Sequence, residues 1–154
     1  MAETKIDYKG GKGFWIAEIY MELTYEYILQ ALEDSEEIIP FKDDLKEDIN
    51  FFVNAYGKGM LTLLWFNFIK TDEDEKIMIC LLNRAKKILE SKGDYIEVDE
   101  LNGYEEKKEE MASKWPKPIK TTEIIKIIDT LILMLKGEWE ETSYSMEIEY
   151  SFID

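Results

Sequence analysis

A chain of 154 residues suits one domain, and at that size folding buries roughly 70% of the surface the unfolded chain exposes. With 45% hydrophobic and 13% aromatic residues it is no disordered acidic tail. The net charge of −15, from 34 acidic against 19 basic residues, disfavours nucleic acid and anionic membranes as direct partners and favours a basic protein, although such acidity also serves simply to keep a protein dispersed.

Two further absences narrow the chemistry. The chain has no histidine, which removes Ser-His-Asp and Cys-His arrangements and histidine-containing zinc sites. Its single cysteine, Cys80, lies in the apolar run IMICLL, so no internal disulfide can form; a core thiol in a reducing, cytoplasmic compartment is the expectation. The N-terminus lacks the apolar segment of a signal peptide, and no apolar run reaches the length of a membrane span.

Residues 1–13, with the glycines of GGKG, read as a flexible entry segment. The following FWIAEIYMELTYEYILQALED fits two periods. At 3.6 residues per turn Glu18, Glu22 and Glu26 form one carboxylate row; at period two Trp15, Ala17, Ile19, Met21, Leu23, Tyr25 and Tyr27 share a face. Some twenty residues without Gly or Pro exceed an ordinary strand, so a helix is expected from residue 14 onward. After Pro40, Asp44 is placed to cap a helix with Glu47 three residues on, and Leu45, Ile49, Phe52 and Tyr56 mark its buried stripe. Gly57 and Gly59 end it, and MLTLLWFNFI, apolar nearly all round, belongs in the core.

The helix of TDEDEKIMICLLNRAKKILESKG places Asp72 to Glu75 at its positive end, Lys86, Lys87 and Lys92 toward its negative end, and Gly93 as its stop. Met78, Leu81, Leu82, Ala85, Ile88 and Leu89 face the core. A short extended piece at Ile96 and Val98 leads into a polar helix carrying Leu101, Tyr104, Met111 and Trp115, suited to an outer layer. Pro116 and Pro118 make WPKPIK a rigid connector. Thr121 or Thr122 then caps a helix with Ile124, Ile127, Ile128, Leu131, Ile132 and Leu135 inside, stopped at Gly137. In the closing SYSMEIEYSF, Tyr144, Met146, Ile148, Tyr150 and Phe152 alternate with polar residues, the pattern of a half-buried strand. It can pair with KIDY or with part of residues 14–27, with its own copy in a homodimer, or with a partner's edge; intramolecular pairing is favoured, because a core would take up its apolar face.

The fold class expected is mainly α: a single helical domain, residues 1–154, of five or six helices with a small β element that includes the C-terminal strand. No motif announces an enzyme. Glu18, Glu22 and Glu26 lack the histidines of a di-metal helical bundle and read as a solvated stripe or a face for a basic partner; TDEDE lacks the spacing of a calcium loop; the glycines match no phosphate-binding loop. No catalytic, cofactor-binding or metal-binding residues are expected. Trp115, beside two prolines, and Trp139, in GEWEE, are candidate interface anchors.

A small, acidic, aromatic-rich chain that carries the Glu18, Glu22, Glu26 row and EEKKEE but no catalytic set resembles the immunity proteins of bacterial toxin systems, such as those of contact-dependent growth inhibition. The resemblance implies a protein that binds a cognate toxin domain, often a nuclease with a basic cleft, and blocks it by occlusion. Glu18, Glu22, Glu26, Asp72, Glu73, Asp74, Trp115 and Trp139 are then the candidate contacts. The alternative is an acidic interaction module or DNA mimic with a non-toxin basic partner.

Overall fold

The computed structural model describes residues 3–8, 12–54, 64–106, 115–140 and 145–150. At its centre lies α1 (Glu18–Asp34), which packs against α2 (Lys42–Asn54), α3 (Asp72–Glu90) and α5 (Thr121–Leu135). Surrounded in this way, α1 has apolar and aromatic residues on most of its circumference, and Tyr20, Met21, Leu23, Tyr25, Tyr27, Ile28, Ala31 and Leu32 are all buried. The fold is mainly α, as expected, with five helices and two small antiparallel sheets among the described residues.

Two expectations for the N-terminal part are corrected. The entry segment forms a strand, β1 (Glu3–Asp7), and the helix expected from residue 14 starts only at Glu18, because Gly13–Ala17 is a second strand, β2, antiparallel to β1. Both alternate as strands do: Thr4, Ile6, Phe14 and Ile16 are buried, whereas Glu3 and Trp15 are exposed. Ala17 keeps extended backbone angles and offers no capping side chain, so the switch from strand to helix carries no local signal.

Gly13 marks the closest approach in this hairpin. It stands opposite Asp7, and a Cβ there would lie 1.8 Å from the carbonyl oxygen of Ile6. The same glycine's carbonyl oxygen accepts a hydrogen bond from the Trp139 indole (2.8 Å).

The buried stripes of α2, α3 and α5 follow the sequence. Leu45, Ile49 and Phe52 are buried on α2; Met78, Leu81, Leu82, Ala85 and Leu89 on α3; and Ile124, Ile127, Ile128, Leu131, Ile132 and Leu135 on α5. Their starts differ in detail. α2 begins at Lys42, ahead of Asp44, while α5 is preceded by Lys120, and the Thr121 hydroxyl donates to the Gly93 carbonyl (2.7 Å) instead of capping. That bond ties β4 (Ile119–Lys120) to β3 (Tyr95–Ile96), its antiparallel partner. Gly93 and Gly137 end their helices with positive φ of 86° and 73°. The outer helix α4 (Val98–Glu106) buries Leu101 and rests Tyr104 edge-on against Tyr27.

Cys80 is exposed, not a core thiol: it falls outside the helical phase of Met78, Leu81 and Leu82. Of MLTLLWFNFI, residues 64–69 are described, and they divide: Trp65 and Ile69 are buried, whereas Leu64 and Phe66 are exposed. Residues 107–110 of the EEKKEE run lie outside the described residues, as do Tyr56, Met111, Tyr144 and Phe152.

The closing segment pairs within the chain. Ser145 forms a parallel bridge with Trp15 of β2, and the Met146 amide donates to the Trp15 carbonyl (2.7 Å). Met146, Ile148 and Tyr150 pack on the core while Glu147 and Glu149 face solvent. The segment is also pinned from the side. The Glu149 amide donates to Glu123 (2.6 Å), Lys126 donates to the Glu147 carbonyl, and the Tyr150 hydroxyl donates to the Lys117 carbonyl (2.7 Å).

Candidate functional site

The residues proposed as contacts from sequence are scattered. Glu18 and Glu22 are only 2% and 4% exposed and Glu26 is half-buried, so the row is not a solvated stripe: it lies on the helix that the others surround. Trp115 is 2% exposed, bracketed by Asn102, whose side chain accepts from its amide (2.7 Å) and donates to its carbonyl (3.3 Å). Trp139 is half-buried, edge-on to Phe14 and bonded to Gly13. Neither indole is placed as a free anchor. At the start of α3, Asp74 is engaged in capping: it accepts from the Lys70 amide (3.1 Å), and its own amide donates to the Thr71 hydroxyl (3.1 Å). Asp72 and Glu73 are exposed.

A different group of residues forms a pocket. Asp44, Glu47, Asp48 and Phe51 follow one another at i, i+3, i+4 and i+7, so they share one face of α2. Leu64, Asn67 and Phe68 form the facing wall, beside the short 3₁₀ turn Trp65–Asn67, and the cavity between them holds about 300 Å³. Phe51 is 60% exposed and the neighbouring Phe66 53%. Phe68 is braced from behind by stacking on Phe41 (5.8 Å between centroids). No basic side chain belongs to the described lining.

Asp48 joins this pocket to the core. It is 4% exposed and accepts a 2.7 Å hydrogen bond from the Tyr25 hydroxyl, which in turn accepts one from the Trp65 indole (3.0 Å). Burial lifts the Asp48 carboxyl above the ordinary aspartate value, and hydrogen bonds from Tyr25, the Leu64 backbone and Trp65 offset this only in part. Burial first, and then the Asp48 charge, drives the Tyr25 phenol well above its usual value, so it remains a donor.

Sequence reasoning read Asp44 and Glu47 as helix-start signals and passed over Asp48 and Phe51. The signal available was Phe51-Phe52: adjacent residues on a helix point about 100° apart, so a stripe set by Leu45, Ile49 and Phe52 leaves Phe51 outside it.

Among the described residues no group of three or more acidic or cysteine side chains could hold a metal ion, and no helix is long and apolar enough to cross a membrane. Set beside protein-family models, curated proteins and solved structures, the chain matches none.

Proposed function

We propose that this protein is an inhibitor of the immunity type, which binds the basic face of a toxin domain and blocks it by occlusion, and that the pocket face of α2 is its contact surface. The observation that carries the reading is the exposed Phe51 ring on one face of α2 with the carboxylates Asp44 and Glu47, with no basic side chain among the described lining residues. Aromatics of this kind supply the apolar centre of an interface; carboxylates supply complementarity to lysine and arginine and can occupy the phosphate subsites of a nuclease cleft. The net charge of −15 adds long-range attraction, which quickens encounter with a basic partner and weakens as salt rises. Asp72 and Glu73, exposed just after the Leu64–Phe68 wall, are secondary contacts in this reading.

The test is protection. The toxic domain encoded beside this chain is expressed alone, with the wild-type protein, and with an Asp44→Lys/Glu47→Lys variant. Both positions are exposed, so the variant should keep its melting temperature. Wild type should restore growth, and the variant should protect poorly and associate about tenfold or more slowly at low salt. Equal growth impairment with and without the wild-type protein refutes the reading. So does the absence of a toxic neighbour together with binding of a non-toxic basic protein, in which case an acidic interaction module takes its place.

A further inference from the structure

The pocket is narrower in what it fits than the face around it. We infer that it receives one arginine side chain from the partner, the guanidinium lying between the rings of Phe51 and Phe68 and against the carboxylates of Asp44, Glu47 and Asp48. This rests on reading that face as the partner-binding surface, and it adds which residue of the partner anchors there.

Three features separate an arginine from cations in general. About 300 Å³ is room for one long side chain and too little for a helix or strand. Two of the walls are aromatic, and a planar, weakly hydrated guanidinium stacks on such faces better than a compact, strongly hydrated ammonium does. The acceptors are several and differently placed: Asp44 and Glu47 stand one helical turn apart at the rim, Asp48 sits deeper, and the Asn67 side chain lies across from them. A guanidinium, with five N–H donors in a plane, can address more than one of these at once. Removal of Asp48 from water, which already disfavours its charge, makes a cation brought to it more strongly held than one at the exposed rim.

The core reports occupancy. Trp65 donates to Tyr25, which donates to Asp48, so a guanidinium at Asp48 should shift the Trp65 indole N–H resonance in a nitrogen-15 correlation spectrum. Trp115 and Trp139, whose surroundings do not include the pocket, serve as internal references. The probes are three blocked tripeptides, acetyl-Gly-X-Gly-amide, with X arginine, lysine or citrulline. Lysine keeps the charge and loses the plane; citrulline keeps the shape and loses the charge.

Expected is a saturable shift of the Trp65 signal with the arginine peptide, at least about threefold weaker binding of the lysine peptide, and no saturable shift with citrulline. Phe51→Ala and Glu47→Gln, both at exposed positions, should abolish or sharply weaken the arginine effect while leaving the reference indoles in place. Equal binding of lysine and arginine, equal binding of citrulline, or an arginine effect untouched by both substitutions overturns the inference. Its failure and that of the inhibitor reading are separable. Arginine binding without protection from any toxin leaves the pocket standing and removes the inhibitor, and protection without arginine selectivity does the reverse.

Discussion

Tyr25→Phe isolates one oxygen atom at the centre of the molecule. The ring stays, and with it the apolar burial and the edge-on contact to Phe52 at 5.2 Å, so the substitution leaves packing alone. Lost are a 2.7 Å hydrogen bond to a buried carboxylate and the acceptor of the Trp65 indole N–H at 3.0 Å. A hydrogen bond to a charged group contributes about 1.5–3 kcal/mol, and a buried donor left unsatisfied costs about 1–3 kcal/mol. The Trp65 indole also helps to hold the Asp48 charge, so it keeps part of its bonding, and the total settles near 3 kcal/mol rather than at the sum of the two maxima. For a protein of this size that is about 6–12 °C in Tm. Urea denaturation should show a lower midpoint at unchanged slope. A loss below about 1 kcal/mol would mean that the Tyr25–Asp48–Trp65 chain contributes little and does not couple the pocket to the core.

Gly13→Ala should be severely destabilising, by more than about 3 kcal/mol, because its Cβ would collide with strand backbone at 1.8 Å; Gly103→Ala, in α4 with open space around it, should stabilise by about 0.5–1 kcal/mol. Indifference at Gly13 in thermal melts would show that the hairpin is not held in this register. Ile148→Asp, which puts a charge where the closing segment packs on the core, should cost about 1–3 kcal/mol, whereas Glu149→Lys should leave the midpoint nearly unchanged; equal indifference to both would mean that the segment is not docked. Alkaline titration probes the buried phenols: Tyr104 is pushed up to about 12, chiefly by burial, and Tyr8, Tyr25 and Tyr27 are raised as well. Each raised group contributes stability that is fully present below the ordinary value of 10.0 and is lost as pH climbs through its folded value, so near-ultraviolet absorbance should show these phenols ionising late and together with unfolding. Ionisation of all nine tyrosines in one step near 10, with the fold intact, would refute this.

Helices that meet the rest of the protein on one side were legible with their buried faces, whereas α1, which meets it on nearly all sides, was legible as a helix but not in its start or in which of its faces are buried. The stripes Leu45, Ile49, Phe52 and Ile124, Ile127, Ile128, Leu131 are one-sided, so a 3.6-residue period stands out. Residues 14–27 showed two periods because a strand and a helix adjoin there, and Ala17, at the join, carries no capping signal. The spacing of Glu18 and Glu22 does set them on one helix face, yet only tertiary neighbours decide whether that face is wet. Cys80 could have been placed outside by phase, and Phe51 likewise. The pocket itself was beyond reach, because its second wall, Leu64 to Phe68, comes from another part of the chain. The closing segment, expected as a strand, is joined by a single bridge at Ser145 to a stretch that had been assigned to helix. Pairing with part of residues 14–27 was among the open alternatives, and the alternation of Met146, Ile148 and Tyr150 inward with Glu147 and Glu149 outward is realised as read.

An acidic chain with eighteen lysines, one arginine and no histidine has few cations with which to neutralise carboxylates that folding carries inward. At three junctions between elements a tyrosine hydroxyl donates to such a carboxylate. Tyr25 on α1 donates to Asp48 on α2, Tyr27 on α1 to Glu100 on α4, and Tyr8 beyond β1 to Glu75 on α3. A phenol solvates a carboxylate without cancelling its charge, so the acidic field still reaches outward, where Lys86–Asp129 and Lys46–Glu33 temper it only locally. Glu100 shows the balance: burial works against its charge, but Tyr27, Lys92 and Tyr104 outweigh that and hold the carboxyl below the ordinary glutamate value. Asp48 shows the opposite outcome, since burial there outweighs the hydrogen bonds from Tyr25, the Leu64 backbone and Trp65. It therefore stands to gain from a cation supplied from outside, and it is the buried one of the three carboxylates that line the pocket, Asp44 and Glu47 being exposed. A guanidinium bound there would relieve a cost carried by the unbound fold, so partner binding and resistance to unfolding should rise together.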